Sequence, residues 1–405
     1  MTITINRKVI LANTRENNRL SINDVIIKKL EMPFTLNFKH AQASRSQAYG
    51  ILIQINGSCD IKGYGESCPR PYVTGEDYNT AGSFYHQHLE SILEIVRDYP
   101  SLLNWVQGNQ ELIDQNPAAW CALELSLLDL FAKIEGVSVE TLMDLPSIKN
   151  HTFQYSAVLG SGDLAGFKKQ LQLYIRIGFT DFKFKLSGHI QDDQERLALF
   201  QSMVQSFPQS HFRLRWDANN LWSHTHQATS YFNTLLPRKQ SHPVQYCPFA
   251  LEEPLKVNQH SKLLTLASSL DLPIILDESF TRYDQFDLLE GSADHWIINV
   301  RISKMGGLIR SKAIIDMAKQ KGIGVILGAQ VGETSLLTRA ALAMVKVCGA
   351  SLKAQEGAFG DLLLKYDITQ SSLKFGSKGH LQATTQGNGF GLIMNELMID
   401  QLTLL

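Results

Sequence analysis

Phe182-Lys183-Phe184-Lys185, Leu214-Arg215-Trp216-Asp217, Ala250-Leu251-Glu252, Ile274-Ile275-Leu276-Asp277 and Ile297-Ile298-Asn299-Val300-Arg301 are the five runs whose reading decides the fold. Each is short, largely apolar and closed by a charged residue. The closing charges stand 32, 35, 25 and 24 positions apart, close to the length of a strand plus a crossover helix. Such runs read as parallel strands buried on both faces, with polar chemistry at their C-terminal ends. Working outward, residues 152–158 supply a strand before them, and Gly324–Leu327 and residues 352–356 supply two after them. Helical stretches intervene at 165–177, 191–205, 259–270 and 309–320. Eight such units suit a closed (β/α)8 barrel better than an open doubly wound sheet, and a barrel brings all the strand ends to one mouth.

Upstream the texture differs. Residues 22–66 alternate as strands, with Asn56-Gly57 as a hairpin signal before the return strand 61–66. Helical periodicity follows at 86–99 and 118–135. The second of these is nearly all apolar, so it is expected to be buried between other elements. The expected organisation is a polar extension over 1–20 able to add a strand, and an α+β capping domain with a three-stranded sheet over 21–148. The barrel then covers 149–365, and a segment over 366–405 returns to the capping domain.

Composition excludes several classes. The 405 residues carry a net charge of -1 and 44% hydrophobic content, with no electrostatic footprint for nucleic acid or an acidic membrane. No apolar run approaches the roughly 18 residues needed to span a bilayer. Five scattered cysteines without a C-x-x-C pair argue for a reducing compartment and against a disulfide framework or zinc ribbon. Residues 1–20 show no signal-peptide core. A cytoplasmic homo-oligomer, with neither nucleic acid nor membrane as partner, is the expectation.

The chemistry lies in the closing charges. Asp217, Glu252 and Asp277 end three successive strands, and neighbouring strands lie roughly 5 Å apart, so the three carboxylates can share one cation. An all-oxygen ligand set suits Mg2+, with Mn2+ as the other choice. A single acid at a strand end commonly just caps the next helix; three in succession are not explained that way. Lys183 and Lys185, two apart on one strand, point the same way. Beside a divalent ion, two crowded ammonium groups depress a lysine pKa towards neutrality and make it a usable base.

Lys183-x-Lys185, Asp217-Ala218-Asn219, Glu252-Glu253-Pro254, Asp277-Glu278-Ser279 and Lys304-Met305-Gly306-Gly307, in this order, resemble the enolase superfamily. The likeness is greatest to the muconate lactonizing enzyme-like subgroup of the mandelate racemase/muconate lactonizing enzyme group, which also holds o-succinylbenzoate synthases and dipeptide epimerases. It implies an enolase-type barrel with a capping domain, acting on a small-molecule carboxylate. By the same resemblance Asp217, Glu252 and Asp277 ligate Mg2+, Lys185 abstracts the proton α to the carboxylate, Lys183 tunes it, and Glu278 positions the cation across the barrel.

One departure bears on the reaction. The subgroup's sixth strand carries a second lysine where this chain has Arg301. A guanidinium stays protonated below roughly pH 12 and cannot serve as a base. Elimination, dehydration or cycloisomerisation on one face is therefore the expected reaction. The alternatives are racemisation or epimerisation of an amino-acid derivative or dipeptide, and a binding protein on a retired scaffold. Lys304 is a conceivable second base but falls out of register with Asn299, Arg301 and Ser303.

Specificity is expected from the loop 34–45, with Lys39 and His40, and from the loop 68–76, with Arg70 and Tyr72; together they suggest a pocket for a second anionic group. Asn219, Gln330, Glu333 and Glu356 are further candidates for the lining, Glu356 as partner for a substrate ammonium. Gly160-Ser161-Gly162-Asp163 imitates a dinucleotide fingerprint, but its spacing is off by one and it reads better as a βα turn with a helix cap.

Overall fold

A computed structural model describes residues 1–10, 21–40, 43–160, 162–207, 211–236, 246–382 and 387–405, without side chains at 2–10, 36–40, 43–45 and 246–247. Eight parallel strands lie side by side in chain order: Ala157–Leu159, Asp181–Lys185, Phe212–Asp217, Tyr246–Glu252, Ile274–Leu276, Trp296–Val300, Gly324–Leu327 and Leu352–Gln355. The sheet curls back on itself, and the Ser156 N–H donates to Gln355 O at 2.8 Å. The run at 152–158 is thus divided. Thr152–Gln154 pairs antiparallel with His380–Gln382, and only Ala157–Leu159 enters the barrel, because the Tyr155 N–H is taken by Gly379 O at 2.9 Å.

Strand alternation sorts the side chains. Phe182, Phe184, Leu214 and Trp216 face outward into the helices, where Phe184 packs on Phe167 and Trp216 on Phe232. Asp181, Lys183 and Lys185 on the second strand share the other face with Arg213, Arg215 and Asp217 on the third. Ala250, Ile275, Ile297, Ile326 and Ala354 form a separate small apolar cluster on the remaining strands. The barrel interior therefore holds a small apolar cluster beside a charged one.

The N-terminal sheet has four strands, not three: Thr2–Ile10 joins Ser21–Leu30, Gly50–Gly57 and Lys62–Ser67. Asn56-Gly57 does not close a two-residue hairpin. Asn56 pairs with Lys62, and the chain between them passes through left-handed Cys59 (φ 59) and Asp60 (φ 55). The helix expected at 86–99 spans Tyr78–Ile95, because the Asp77 side chain accepts from the N–H groups of Asn79 and Thr80 and starts it earlier.

The apolar helix Pro117–Ile134 is buried from Pro117 through Ala132. It reaches the sheet so closely because Gly63 and Gly65 have no side chain. A Cβ on Gly65 would lie 2.0 Å from Ala122 O, and one on Gly63 would lie 2.2 Å from Ser126 O. Gly65→Ala is expected to push the helix off the sheet at a cost of roughly 1–3 kcal/mol. Urea denaturation would read it, and an unshifted midpoint would refute the close approach.

The N-terminal region is stitched to the barrel by carboxylates. Glu66 accepts from the N–H groups of Thr334 (2.8 Å) and Leu337 (2.9 Å) at the start of helix Ser335–Cys348. Glu124 accepts from the Ile309 N–H at 3.0 Å, at the start of helix Leu308–Lys321. The C-terminal residues run back along the sheet: Lys28 Nζ donates to Ile399 O at 2.7 Å, and the Leu405 N–H to Ile27 O at 3.0 Å. Among the described residues, Cys59, Cys121 and Cys348 are free, and no helix is long and apolar enough to cross a membrane.

Candidate active site

Register places Lys185, Asp217 and Glu252 at one level across the second, third and fourth strands. Lys183 Nζ lies 2.7 Å from Glu252 Oε1, 3.0 Å from Asp217 Oδ2 and 3.3 Å from Glu356 Oε1. Lys185 Nζ lies 3.1 Å from Asp217 Oδ2 and donates to Asn219 Oδ1 at 2.9 Å. Asn219, in the left-handed region (φ 45), is thereby a partner of Lys185, with its N–H on Asp217 Oδ1 at 3.0 Å. The lysines differ in access: the Lys183 side chain is 3% exposed and that of Lys185 is 11%.

Charge is shared unevenly. Burial opposes ionisation of Lys183, but Asp217, Glu252 and Glu356 outweigh it and hold the ammonium well above the ordinary lysine range. Burial likewise opposes Asp217, but Lys183 and Lys185 pull it well below the usual carboxylate range. Glu356 is held down at about 2 by Lys183 and Arg215 against its burial. Glu252 has only Lys183 as a cationic partner, and burial pushes it up to about 8. One ammonium cannot neutralise three acids, and Glu252, lacking a second cation, is the acid left over.

On the far side Arg301 donates through Nη2 to Asp277 Oδ2 and through Nη1 to Gln330 Oε1 at 3.1 Å. Lys304, fully buried, spends its donors on Asp277 O (2.7 Å), Asp277 Oδ1 (3.1 Å) and Asn299 O (2.6 Å). It braces Asp277 against the sixth strand, and its burial holds the ammonium below the ordinary lysine range. Glu278 attracts Arg301 by charge; its Oε2 is buried without a hydrogen-bond partner, and burial pushes the carboxyl up to about 8. The Gln330 N–H donates to Glu333, whose carboxyl burial also pushes up to about 8.

Members of the enolase superfamily typically depend on a divalent metal, and Asp217, Glu252 and Asp277 are the expected ligands. Glu252 Oε2 is indeed buried without a hydrogen-bond partner. Asp277, however, has one oxygen on Arg301 and the other on Lys304. Among the described residues no three Asp, Glu, His or Cys side chains are grouped so that they could hold a metal ion. As arranged, the expected ligand set does not fit Mg2+ or Mn2+; the acids meet cations of the chain instead.

Other expected lining residues are also committed elsewhere. Arg70 is buried, with its guanidinium on the carbonyls of Tyr49, Pro69 (2.8 Å) and Val331 (2.7 Å), so it tethers the loop. Glu356 is bonded to Arg215 and is not free for a substrate ammonium. Tyr72 is exposed on the loop, and the side chains of Lys39 and His40 lie outside the described residues. The Asp163 carboxylate accepts from the Gly166 N–H at 2.7 Å, as a helix cap does; Ser161 lies outside the described residues.

Three residues carry more of the site than their sequence reading showed. Arg215, fully buried, joins Asp181 (2.8 Å) to Glu356 (2.7 Å). Glu253 accepts from the N–H groups of Asp277 (2.7 Å) and Ser279 (2.8 Å), tying the fourth strand end to the fifth. The i, i+2 rule that paired the lysines also exposes Arg215 and Asp181; Glu253 stands in the Glu252-Glu253-Pro254 motif, which says nothing of its backbone partners.

A barrel whose second strand carries two lysines, whose next three strands end in acids and which wears an N-terminal capping sheet defines an enolase-type enzyme scaffold. The chain belongs to the enolase C-terminal domain-like family, whose profile matches residues 166–398, and through it to the mandelate racemase/muconate lactonizing enzyme group. It is 25% identical to the L-Ala-D/L-Glu epimerase of Bacillus subtilis strain 168, over 76% of this chain and 80% of that enzyme. It is 23% identical to the L-Lys-D/L-Arg epimerase of Methylococcus capsulatus, over 92% of this chain and 99% of that enzyme. In fold it resembles the muconate lactonizing enzyme of Pseudomonas fluorescens, with a TM-score of 0.78 at 21% identity over 94% of this chain and 98% of that one.

Proposed function

We propose that the protein is an isomerase that removes the proton α to the carboxylate of an amino-acid derivative or dipeptide, with Lys185 as the base. The observation that carries this reading is the unequal fate of the two lysines. Lys183 is locked among three carboxylates and stays charged, whereas Lys185 has the greater access to the mouth. Lys183 holds Asp217 and Glu252 in place, and Asn219 and Asp217 aim Lys185. Negative charge developing on the substrate would be met by the cations of the mouth, Lys183 and Arg301. No step is assigned to Mg2+, since Asp277 is engaged by Arg301 and Lys304.

Epimerisation is the first reading, because the relatives from Bacillus subtilis and Methylococcus capsulatus are named as epimerases. A single observation favours the second, one-face isomerisation or elimination: the group across from Lys185 is a guanidinium, which cannot accept a proton. Incubation of N-acyl amino acids and dipeptides in 2H2O, followed by NMR and chiral chromatography, separates the two. Inverted, deuterated product supports epimerisation. Deuterium incorporation with retention, or an unsaturated or cyclised product, assigns one-face chemistry. No exchange with any carboxylate would refute the enolising role.

A further inference from the structure

We propose that Arg301 is a built-in counter-ion standing in the metal's place at Asp277, so that this chain binds a divalent cation strongly only when the guanidinium is removed. Asp277 is buried, and both its carboxylate oxygens already carry a positive partner: Oδ2 meets Arg301, and Oδ1 meets Lys304 at 3.1 Å. An incoming ion has to displace an ion pair that is itself shielded from water, where Coulombic attraction is strong.

The room for this guanidinium is built into the seventh strand's end. Gly328 follows that strand, and a Cβ there would fall 2.0 Å from Asn299 Oδ1 and 3.1 Å from Arg301 Cγ. Two residues on, Gln330 receives Arg301 Nη1 at 3.1 Å, and its own N–H is anchored on Glu333. Arg301 is thus held at both nitrogens of its fork, and its charge cannot be titrated away near neutral pH. Across the mouth Lys183 does the same for the other two acids, spanning Asp217 and Glu252. Each of the three carboxylates is served by a cation of the chain.

The test is direct metal binding by the full chain. Mn2+ is titrated into wild type, Arg301→Met and the double variant Arg301→Met/Asp277→Asn. Bound ion is read by loss of the free-ion EPR signal, and folding by thermal melts with and without Mn2+. Arg301→Met is expected to bind one Mn2+ tighter than wild type by on the order of tenfold or more, since it frees a buried carboxylate. It should also melt higher with Mn2+ present, and the double variant should lose the gain. Should Arg301→Met fail to fold, Arg301→Lys makes the same comparison, with a cation that lacks the fork. Wild type binding Mn2+ one-to-one as tightly as the variant would overturn the proposal. No turnover is measured, so the result stands apart from any outcome of the exchange experiment.

Discussion

Lys185→Ala is expected to fold as the wild type does and to lose α-proton exchange by about 10^3-fold, the scale of removing a positioned general base. The side chain is near the mouth, and its partners, Asp217 and Asn219, keep other contacts: Asp217 retains Lys183 at 3.0 Å, and its Oδ1 retains the Asn219 N–H. The fold therefore has little reason to fail, and the loss can be read as chemistry. Exchange would be followed by NMR on whichever substrate the 2H2O screen yields, alongside the far-ultraviolet circular dichroism of both proteins. Undiminished exchange would move the base elsewhere. Lys183→Ala makes the informative contrast, because it leaves Asp217, Glu252 and Glu356 with one fewer cation among them, and its failure should show in stability as well as in rate.

Arg215→Met is expected to be the most destabilising substitution inside the barrel, by roughly 3 kcal/mol, because it leaves two buried acids each short of one cation, Asp181 with Arg213 alone (3.0 Å) and Glu356 with Lys183 alone (3.3 Å). Arg215 is fully buried and bonds Asp181 Oδ1 at 2.8 Å, Glu356 Oε1 at 2.7 Å and Ser156 Oγ at 3.1 Å. It joins the third strand to the second, to the eighth and to the turn leading into the first, so it closes the barrel from within. Guanidinium chloride denaturation at neutral pH reads the loss. Adding Glu356→Gln should restore part of it by removing one of the stranded charges, and a single-variant loss within experimental error would show that the network is not stabilising.

The barrel was legible because parallel strands buried on both faces leave a simple trace, an apolar run closed by a charge. That trace located all five central strands, and three of its closing residues, Lys185, Asp217 and Glu252, stand at one level. Its limits are physical. Residues 152–158 look like one strand in sequence, yet the backbone groups of Tyr155 and Ser156 are claimed by different neighbours, and the run splits. The fourth strand of the N-terminal sheet hides in a polar segment, because an edge strand is held by backbone pairing and needs little apolar pattern.

In the site, alternation says which face a side chain occupies but not which partner it meets. Asp277 and Arg301 were both assigned to the mouth. Whether the acid would look towards a metal or towards the guanidinium depended on Gly328 and Gln330, two loop positions with no periodic signal. Arg70 shows the same limit: a basic residue in a capping loop suggests anion binding, and three carbonyl oxygens take its Nη groups instead, leaving Nε buried without a partner. Glu253 depends on a left-handed backbone (φ 39) that turns its carboxylate under the next strand.

Glu66 and Glu124 reach from the N-terminal region to the first turns of two barrel helices and accept from the N–H groups of Thr334, Leu337 and Ile309 there. The two parts of the chain are consequently not interchangeable cartridges. A chimera that swaps the front half for a relative's to retune specificity inherits the new loops, but it also discards the acceptors on which the back half's helices rest. Recombination at this seam is viable only when both glutamates travel with the graft.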